Sequence, residues 1–126
     1  MKALVTGGRG FIGSNLVDEL ISRGWETHTL DDLSAVTHES FYSNDRSINH
    51  EEDICNLEKL KNIFQENRYD VVFHLAARSR IQPTIGDPTG TCHVNTVGTC
   101  NVLQCAKETG VPKVVYSSTS SVYGLK

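Results

Sequence analysis

Residues 5–13 read Val5-Thr6-Gly7-Gly8-Arg9-Gly10-Phe11-Ile12-Gly13, and this stretch decides the fold. Ahead of it, residues 2–6 form a short apolar run that reads as a strand. Behind it, Phe11, Ile12, Leu16, Val17, Leu20 and Ile21 recur at helical spacing, so a helix opens inside the glycines. Strand, glycine turn and helix are the context in which such a pattern cradles phosphate. Gly7 lets the chain leave the strand through angles that a Cβ disfavours. Gly10 bares the backbone where a pyrophosphate approaches, and Gly13 lets the helix pack closely on its strand. The helix start then presents unpaired N–H groups and the positive end of its dipole. Two registers fit, Gly8-x-Gly10-x-x-Gly13 and Gly7-x-x-Gly10-x-x-Gly13, and a purely structural turn would use glycines here too.

Working outward, residues 25–30 read as a second strand ending at Asp31-Asp32. A carboxylate about 20 residues beyond the glycines is placed to accept hydrogen bonds from an adenosine ribose, and it repels a 2′-phosphate. The expected nucleotide is therefore NAD rather than NADP. Asp31 is the better placed of the pair because it directly follows the strand; the plainer alternative is two solvated loop acids. Residues 33–46 are polar and aperiodic and read as a loop, and residues 47–51 as a weak third strand. Asn56 caps a helix with Leu57, Leu60, Ile63 and Phe64 on one face. Residues 71–76, Val-Val-Phe-His-Leu-Ala, are nearly all apolar, as a strand buried on both faces of a parallel sheet should be.

Residues 78–90 contain Pro83 and Pro88 and read as a loop with at most a short helical turn. A long helix is expected from residue 91 to about 109, burying Val94, Val97, Val102, Cys105 and Ala106, with Gly110 and Pro112 as its stop. Residues 113–117 read as a fifth strand, followed by Ser118-Thr119-Ser120-Ser121-Val122-Tyr123-Gly124. Strands alternating with helices imply an α/β fold, a Rossmann-type doubly wound parallel sheet of order 3-2-1-4-5 with helices on both faces. The ligand crevice of such a sheet lies at the C-terminal ends of strands one and four. There the glycine turn, Asp31, Ala76-Ala77 and the serine-rich end of strand five converge.

Composition narrows the classes of function. The 126 residues make one domain at most, with 38% hydrophobic and 21% charged residues. A net charge of −3 leaves no basic footprint for nucleic acid, and no apolar run is long enough to cross a bilayer. With the first strand starting at Lys2 there is no room for a signal peptide, so a cytoplasmic location is expected. Cys55, Cys92, Cys100 and Cys105 show neither C-x-x-C nor zinc-site spacing; they are expected to be reduced, and no metal is expected.

Several of these stretches together resemble the extended short-chain dehydrogenase/reductases, specifically the NAD-dependent nucleotide-sugar epimerases and dehydratases. Thr6-Gly7-Gly8-Arg9-Gly10-Phe11-Ile12-Gly13 is similar to the family's opening, and Leu30-Asp31-Asp32-Leu33-Ser34 to its ribose-binding segment. Asp53-Ile54 resembles the pair against the adenine, and His74-Leu75-Ala76-Ala77 the fourth-strand motif beside the cofactor. Asp87-Pro88, Asn95 and Gly98-Thr99 match the opening of the next helix, and residues 117–124 the active-site strand end. The resemblance implies bound NAD as a transient hydride acceptor. It places Gly7, Gly10, Phe11, Ile12, Gly13, Asp31, Asp32, Asp53, Ile54, Leu75, Ala76, Ala77, Asn95, Ser117 and Ser118 at the cofactor. It makes Thr119 the catalytic hydroxyl, with Ser120 and Ser121 facing substrate. Dehydratases of the family carry acids after the catalytic threonine, and decarboxylases a glutamate where Ser121 stands; the hydroxyl run favours an epimerase acting on a nucleotide-sugar.

The chain also departs from the family's pattern. The family's Tyr-x-x-x-Lys base lies on a later helix, and Tyr123 and Lys126 are only three apart. The expectation is an incomplete NAD-binding Rossmann domain over residues 1–126, lacking the substrate domain and inactive by itself. Alternatives are a non-catalytic module for NAD or another adenine nucleotide, or a dehydratase or oxidoreductase of the same superfamily. An exposed fifth strand and the long helix lead to the expectation of a homo-oligomer. Arg80, where many relatives have a small residue, is expected only to solvate its loop.

Overall fold

The computed structural model describes residues 1–35 and 40–125. Residues 36–39, part of the predicted polar loop, and Lys126 lie outside the described residues. Five parallel strands form one sheet: β1 (Lys2–Thr6), β2 (Glu26–Asp31), β3 (Ile48–Glu51), β4 (Val71–His74) and β5 (Lys113–Tyr116). Their order is β3-β2-β1-β4-β5, the expected one. Central β1 is buried from Ala3 to Thr6 and is flanked on both edges. Its alternating side chains build two cores. Leu4, with Leu30 and Val72, packs under α2 (Leu57–Asn67) and α5 (Thr99–Glu108) through Leu60, Phe64, Val102 and Cys105. Ala3 and Val5 face the other way, onto Val17, Leu20 and Ile21 of α1 (Phe11–Ser22). Helices thus cover both faces.

Register sets the strand ends level. Thr6 pairs with Leu30 and with His74, Asp31 with Glu51, and His74 with Tyr116. All five strands therefore deliver their next residues to one edge, where a doubly wound sheet collects ligands.

Several boundaries differ from the sequence reading. Trp25 is outside β2 because its N–H closes the end of α1 on the Leu20 carbonyl, and Asp31 is the last residue of β2 rather than the residue after it. β3 starts at Ile48, one residue late, and β5 stops at Tyr116. β4 ends at His74, so Leu75 and Ala76 already belong to the turn.

The larger correction concerns residues 78–90, expected as a loop with at most a short helical turn. Most of them lie in two helices, α3 (Ile81–Gly86) and α4 (Pro88–Cys92). Pro83 is the third residue of its helix and Pro88 the first, positions whose N–H has no partner within the helix. Asp87 caps α4 by accepting the Gly90 N–H at 3.0 Å. The long helix thus starts three residues earlier than the sequence indicates. A π-helical turn (His93–Gly98) then joins α4 to α5. Its wider turn shifts the phase of the apolar pattern. Val97 is consequently exposed, and Gly98, Asn101, Val102, Cys105 and Ala106 are buried. Gly110 and Val111 donate back to the Lys107 and Ala106 carbonyls, which ends α5 at the predicted stop.

Asn56 caps α2 as its sequence indicates, accepting the Lys59 N–H at 3.3 Å. Asn56→Ala should cost about 1 kcal/mol, read as a lower urea midpoint at unchanged slope.

Candidate functional site

The glycine turn is built from backbone. Gly7 has φ +68° and donates to the Leu30 carbonyl at 2.8 Å, while its own carbonyl accepts the Gly10 N–H at 3.1 Å. A Cβ on Gly7 would stand 2.9 Å from the Ala76 nitrogen, so this residue both turns the chain and admits β4's exit beside it. A Cβ on Gly10 would meet only the Gly7 oxygen, at 3.4 Å, and otherwise open space. α1 then begins with no side-chain cap and no acid in its first turn. Phe11, Ile12 and Gly13 have no carbonyl within the helix to bond, so their N–H groups point out of its end. Phe11 is 79% and Ile12 64% exposed, unusual values for large apolar side chains beside a core.

Acidic side chains stand around this end. One Asp31 oxygen accepts the Arg9 N–H at 3.0 Å and the other the Leu33 N–H at 3.0 Å, which ties the glycine turn to the end of β2. Each oxygen keeps a lone pair for a further donor. Asp32 braces its own turn, one carboxylate oxygen accepting the Ser34 N–H at 3.1 Å and the Ser34 hydroxyl at 2.6 Å. The Glu52 N–H bonds the Asp31 carbonyl, bringing the exit of β3 alongside. Asp53 accepts the Cys55 N–H at 2.8 Å, and the Ile54 carbonyl accepts from the buried Asn101 amide at 3.0 Å. A Cβ on Gly98 would collide with Ile54, so the π-helical turn lies directly against that residue.

The opposite wall hangs on a buried polar chain that sequence reasoning missed. The Ala76 N–H donates to the Thr6 hydroxyl at 3.2 Å. That hydroxyl lies 2.6 Å from His74 Nδ1, and His74 Nε2 lies 2.9 Å from the Thr99 hydroxyl. His74 is 1% exposed and stacks on Tyr116. Burial brings its pKa down from 6.5 to about 4, so the ring is neutral at physiological pH. The chain links β1, β4 and the start of α5 at the point where Leu75 and Ala76 leave the sheet. The signal for it was a polar residue at the inner end of two apolar strands.

Asn95, expected at the cofactor, has both ends of its amide engaged elsewhere: it accepts the Arg78 N–H at 2.8 Å and donates to the Arg78 carbonyl at 2.9 Å. The Arg78 guanidinium reaches Asp87 at 2.8 Å, closing the segment between β4 and α4 into a clasp. Arg80 is exposed and stands at the N-cap of α3.

Beyond β5, the Ser117 N–H donates to the His74 carbonyl at 3.1 Å, which places the strand's exit next to β4's. Ser118, Thr119, Ser120 and Ser121 are exposed. The Thr119 hydroxyl accepts the Ser121 N–H at 3.1 Å and caps a short 3-10 turn (Ser120–Tyr123). Among the described residues no group of three His, Cys, Asp or Glu side chains could hold a metal. No helix there is long and apolar enough to cross a membrane. The four cysteines carry free thiols, and burial pushes those of Cys55 and Cys105 up to about 11.

A model of the NAD dependent epimerase/dehydratase family matches residues 3–126. The chain belongs to that family. The UDP-glucose 4-epimerase of Mycolicibacterium smegmatis is 41% identical over 98% of this epimerase/dehydratase-family chain and 41% of its own length. A UDP-glucose 4-epimerase from Thermotoga maritima, solved with UDP-glucose, superposes with a TM-score of 0.90 at 36% identity, covering 96% of this chain and 38% of that one. The Thermus thermophilus UDP-glucose 4-epimerase, solved in complex with NAD, gives 0.86 at 35% identity over 94% and 38%. This family member therefore spans about two fifths of the length of the epimerases it matches.

Proposed function

We propose that the chain is the NAD-binding portion of a nucleotide-sugar epimerase. The observation that carries this reading is the uncapped start of α1 beside Gly10, where a Cβ would meet only the Gly7 oxygen. That cradle fits a pyrophosphate: N–H groups and a positive dipole end with no acid in the helix's own first turn. The N–H groups of Phe11, Ile12 and Gly13 would hold the phosphates. Asp31 would accept from the ribose, and Asp32, Asp53 and Ile54 would border the adenosine. Leu75, Ala76 and Ala77 would line the other wall with Ser117 and Ser118, and Asn95 would shape it through Arg78.

When bound, NAD supplies a reversible acceptor for hydride from a sugar carbon. Thr119 would orient the sugar hydroxyl that loses its proton, and Ser120 and Ser121 would contact the sugar. No Tyr-x-x-x-Lys occurs in these 126 residues, so by themselves they are proposed to bind NAD without turnover. The exposed apolar side chains of Val97 and Leu103, on the long helix, offer the surface for self-association into a homo-oligomer.

Calorimetry tests the cofactor assignment. Wild type should bind NAD, and Asp31→Ala should weaken it about 10- to 100-fold, the worth of hydrogen bonds to a charged acceptor. Asp31→Asn, which keeps one acceptor oxygen, should lose less. Absence of NAD binding by folded wild type would end this reading.

A further inference from the structure

On the far side of β2 from α1, His28 is 1% exposed and has a partner at each ring nitrogen. Its Nε2 lies 3.1 Å from a Glu26 carboxylate oxygen. Its Nδ1 lies 3.0 Å from His50 Nε2 and 3.1 Å from the Tyr69 hydroxyl. The two imidazoles stack at 5.2 Å and 25°, with Tyr69 edge-on to His28. An ionised carboxylate only accepts, so Nε2 carries the His28 proton and Nδ1 is an acceptor. The single Nδ1 lone pair then receives the Tyr69 O–H and the His50 Nε2–H. This arrangement is complete when both rings are neutral. A first proton on His28 Nδ1 would need His50 to change tautomer so that its Nε2 accepts, and a charge on each ring would place two cations 3.0 Å apart, which the closed strand cannot hold and the open strand can.

His50 belongs to β3, the four-residue edge strand on which Ile48, Asn49 and Glu51 are exposed. Side chains fasten β3 to β2 at two points, His28 to His50 and Thr29 to Asn49 at 2.6 Å. We propose that His28 and His50 form a proton-operated latch: local opening of β3 from β2 is coupled to proton uptake by this pair.

The groups packed around the cluster oppose and favour charge in turn. Burial holds His28 below its usual range, the Lys2 ammonium on β1 adds to this, and Glu26 on β2 pulls the other way. Burial and the His28 ring lower His50, and Glu66 on α2 opposes them. Tyr69 stays neutral, its hydroxyl pushed well up by burial. With both histidines below 6.5 in the closed strand, the open strand binds more protons once the pH falls below about 6.5, and opening becomes easier in acid. β3 leads into Glu52, whose N–H bonds the Asp31 carbonyl, so the opened strand would release one side of the candidate adenosine site. That last consequence rests on the NAD reading; the latch itself does not.

Amide hydrogen exchange by NMR on the 126-residue chain tests it, with protection factors corrected for intrinsic rates. Amides shared by β2 and β3 should exchange faster than those shared by β1 and β4 at every pH, which marks local opening. Their protection should fall at least tenfold between pH 7 and 5.5. His50→Gln keeps a polar side chain that does not titrate and should cut that fall to about threefold or less. Imidazole Hε1 titrations in wild type give a readout that needs no variant, and both midpoints should lie below 6.5. Protection at β3 that equals that at β1, or that is flat with pH, overturns the latch. So do two independent midpoints near 6.5. Loss of NAD binding at all pH values would remove the cofactor reading while leaving the exchange result to decide this one.

Discussion

Gly13→Ala should destabilise the chain by about 3 kcal/mol or more, although alanine is the better helix former by about 1 kcal/mol. A Cβ at this position would be driven into the Gly7 carbonyl oxygen and would stand 2.8 Å from Gly8 Cα and 2.9 Å from the Gly7 carbonyl carbon. Every one of these is a backbone atom, so no rotamer change relieves the contact. Gly7 cannot retreat, because its N–H is tied to Leu30, its carbonyl to Gly10, and the Ala76 backbone closes its other side. The first turn of α1 would have to lift from the turn, taking Val17, Leu20 and Ile21 away from Ala3 and Val5. Urea unfolding reads the loss as a lower midpoint. Gly10→Ala is the matched control: its Cβ meets one atom at 3.4 Å, an ordinary contact, so stability should hold while NAD affinity drops. Equal stability of Gly13→Ala and wild type would show that the turn relaxes without cost.

The second large effect is acid sensitivity. His74 is neutral in the folded chain with a pKa of about 4, against 6.5 when unfolded. A depressed histidine pKa means that the unfolded chain binds the proton first. The stability contribution is therefore whole above pH 6.5 and is lost as the pH falls from 6.5 to about 4. At 1.36 kcal/mol per pKa unit the loss reaches about 3 kcal/mol. The cause is burial, and with Nδ1 accepting from Thr6 and Nε2 donating to Thr99 the neutral ring is satisfied, whereas a proton on Nδ1 would force the Thr6 hydroxyl to turn. His28 and His50 shift in the same direction and steepen the dependence. Comparing wild type with His74→Gln isolates the His74 part, since glutamine offers an acceptor and a donor but no titration. The His74 Hε1 resonance should titrate near 4. A midpoint near 6.5, or a stability profile unchanged by His74→Gln, would remove this account.

Much is legible in the chain itself because it depends on neighbours in sequence. The glycine turn, the apolar runs of β1 and β4, the Asn56 cap and the Gly110 stop are each local, and together they point to a doubly wound parallel sheet. The helices at residues 81–92 escape such a reading because two prolines look like breakers. At the first turn of a helix proline removes no bond, and which turn it occupies depends on where Arg78, Asp87 and Asn95 clasp the segment. Val97 reads as a core residue yet is exposed, because a π-helical turn carries no signature in hydrophobic spacing.

What the sequence by itself determined is the parallel sheet with its flanking helices and the edge at which candidate site residues gather, for those follow from periodicity and turn chemistry. What only the tertiary structure decided is how those residues are held. Thr6, His74, Ala76 and Thr99 become one hydrogen-bonded chain, and Glu26, His28, His50 and Tyr69 another, only after parallel pairing brings distant segments level. Buried polar groups must find partners wherever the fold places them, and that demand acts across space rather than along the chain.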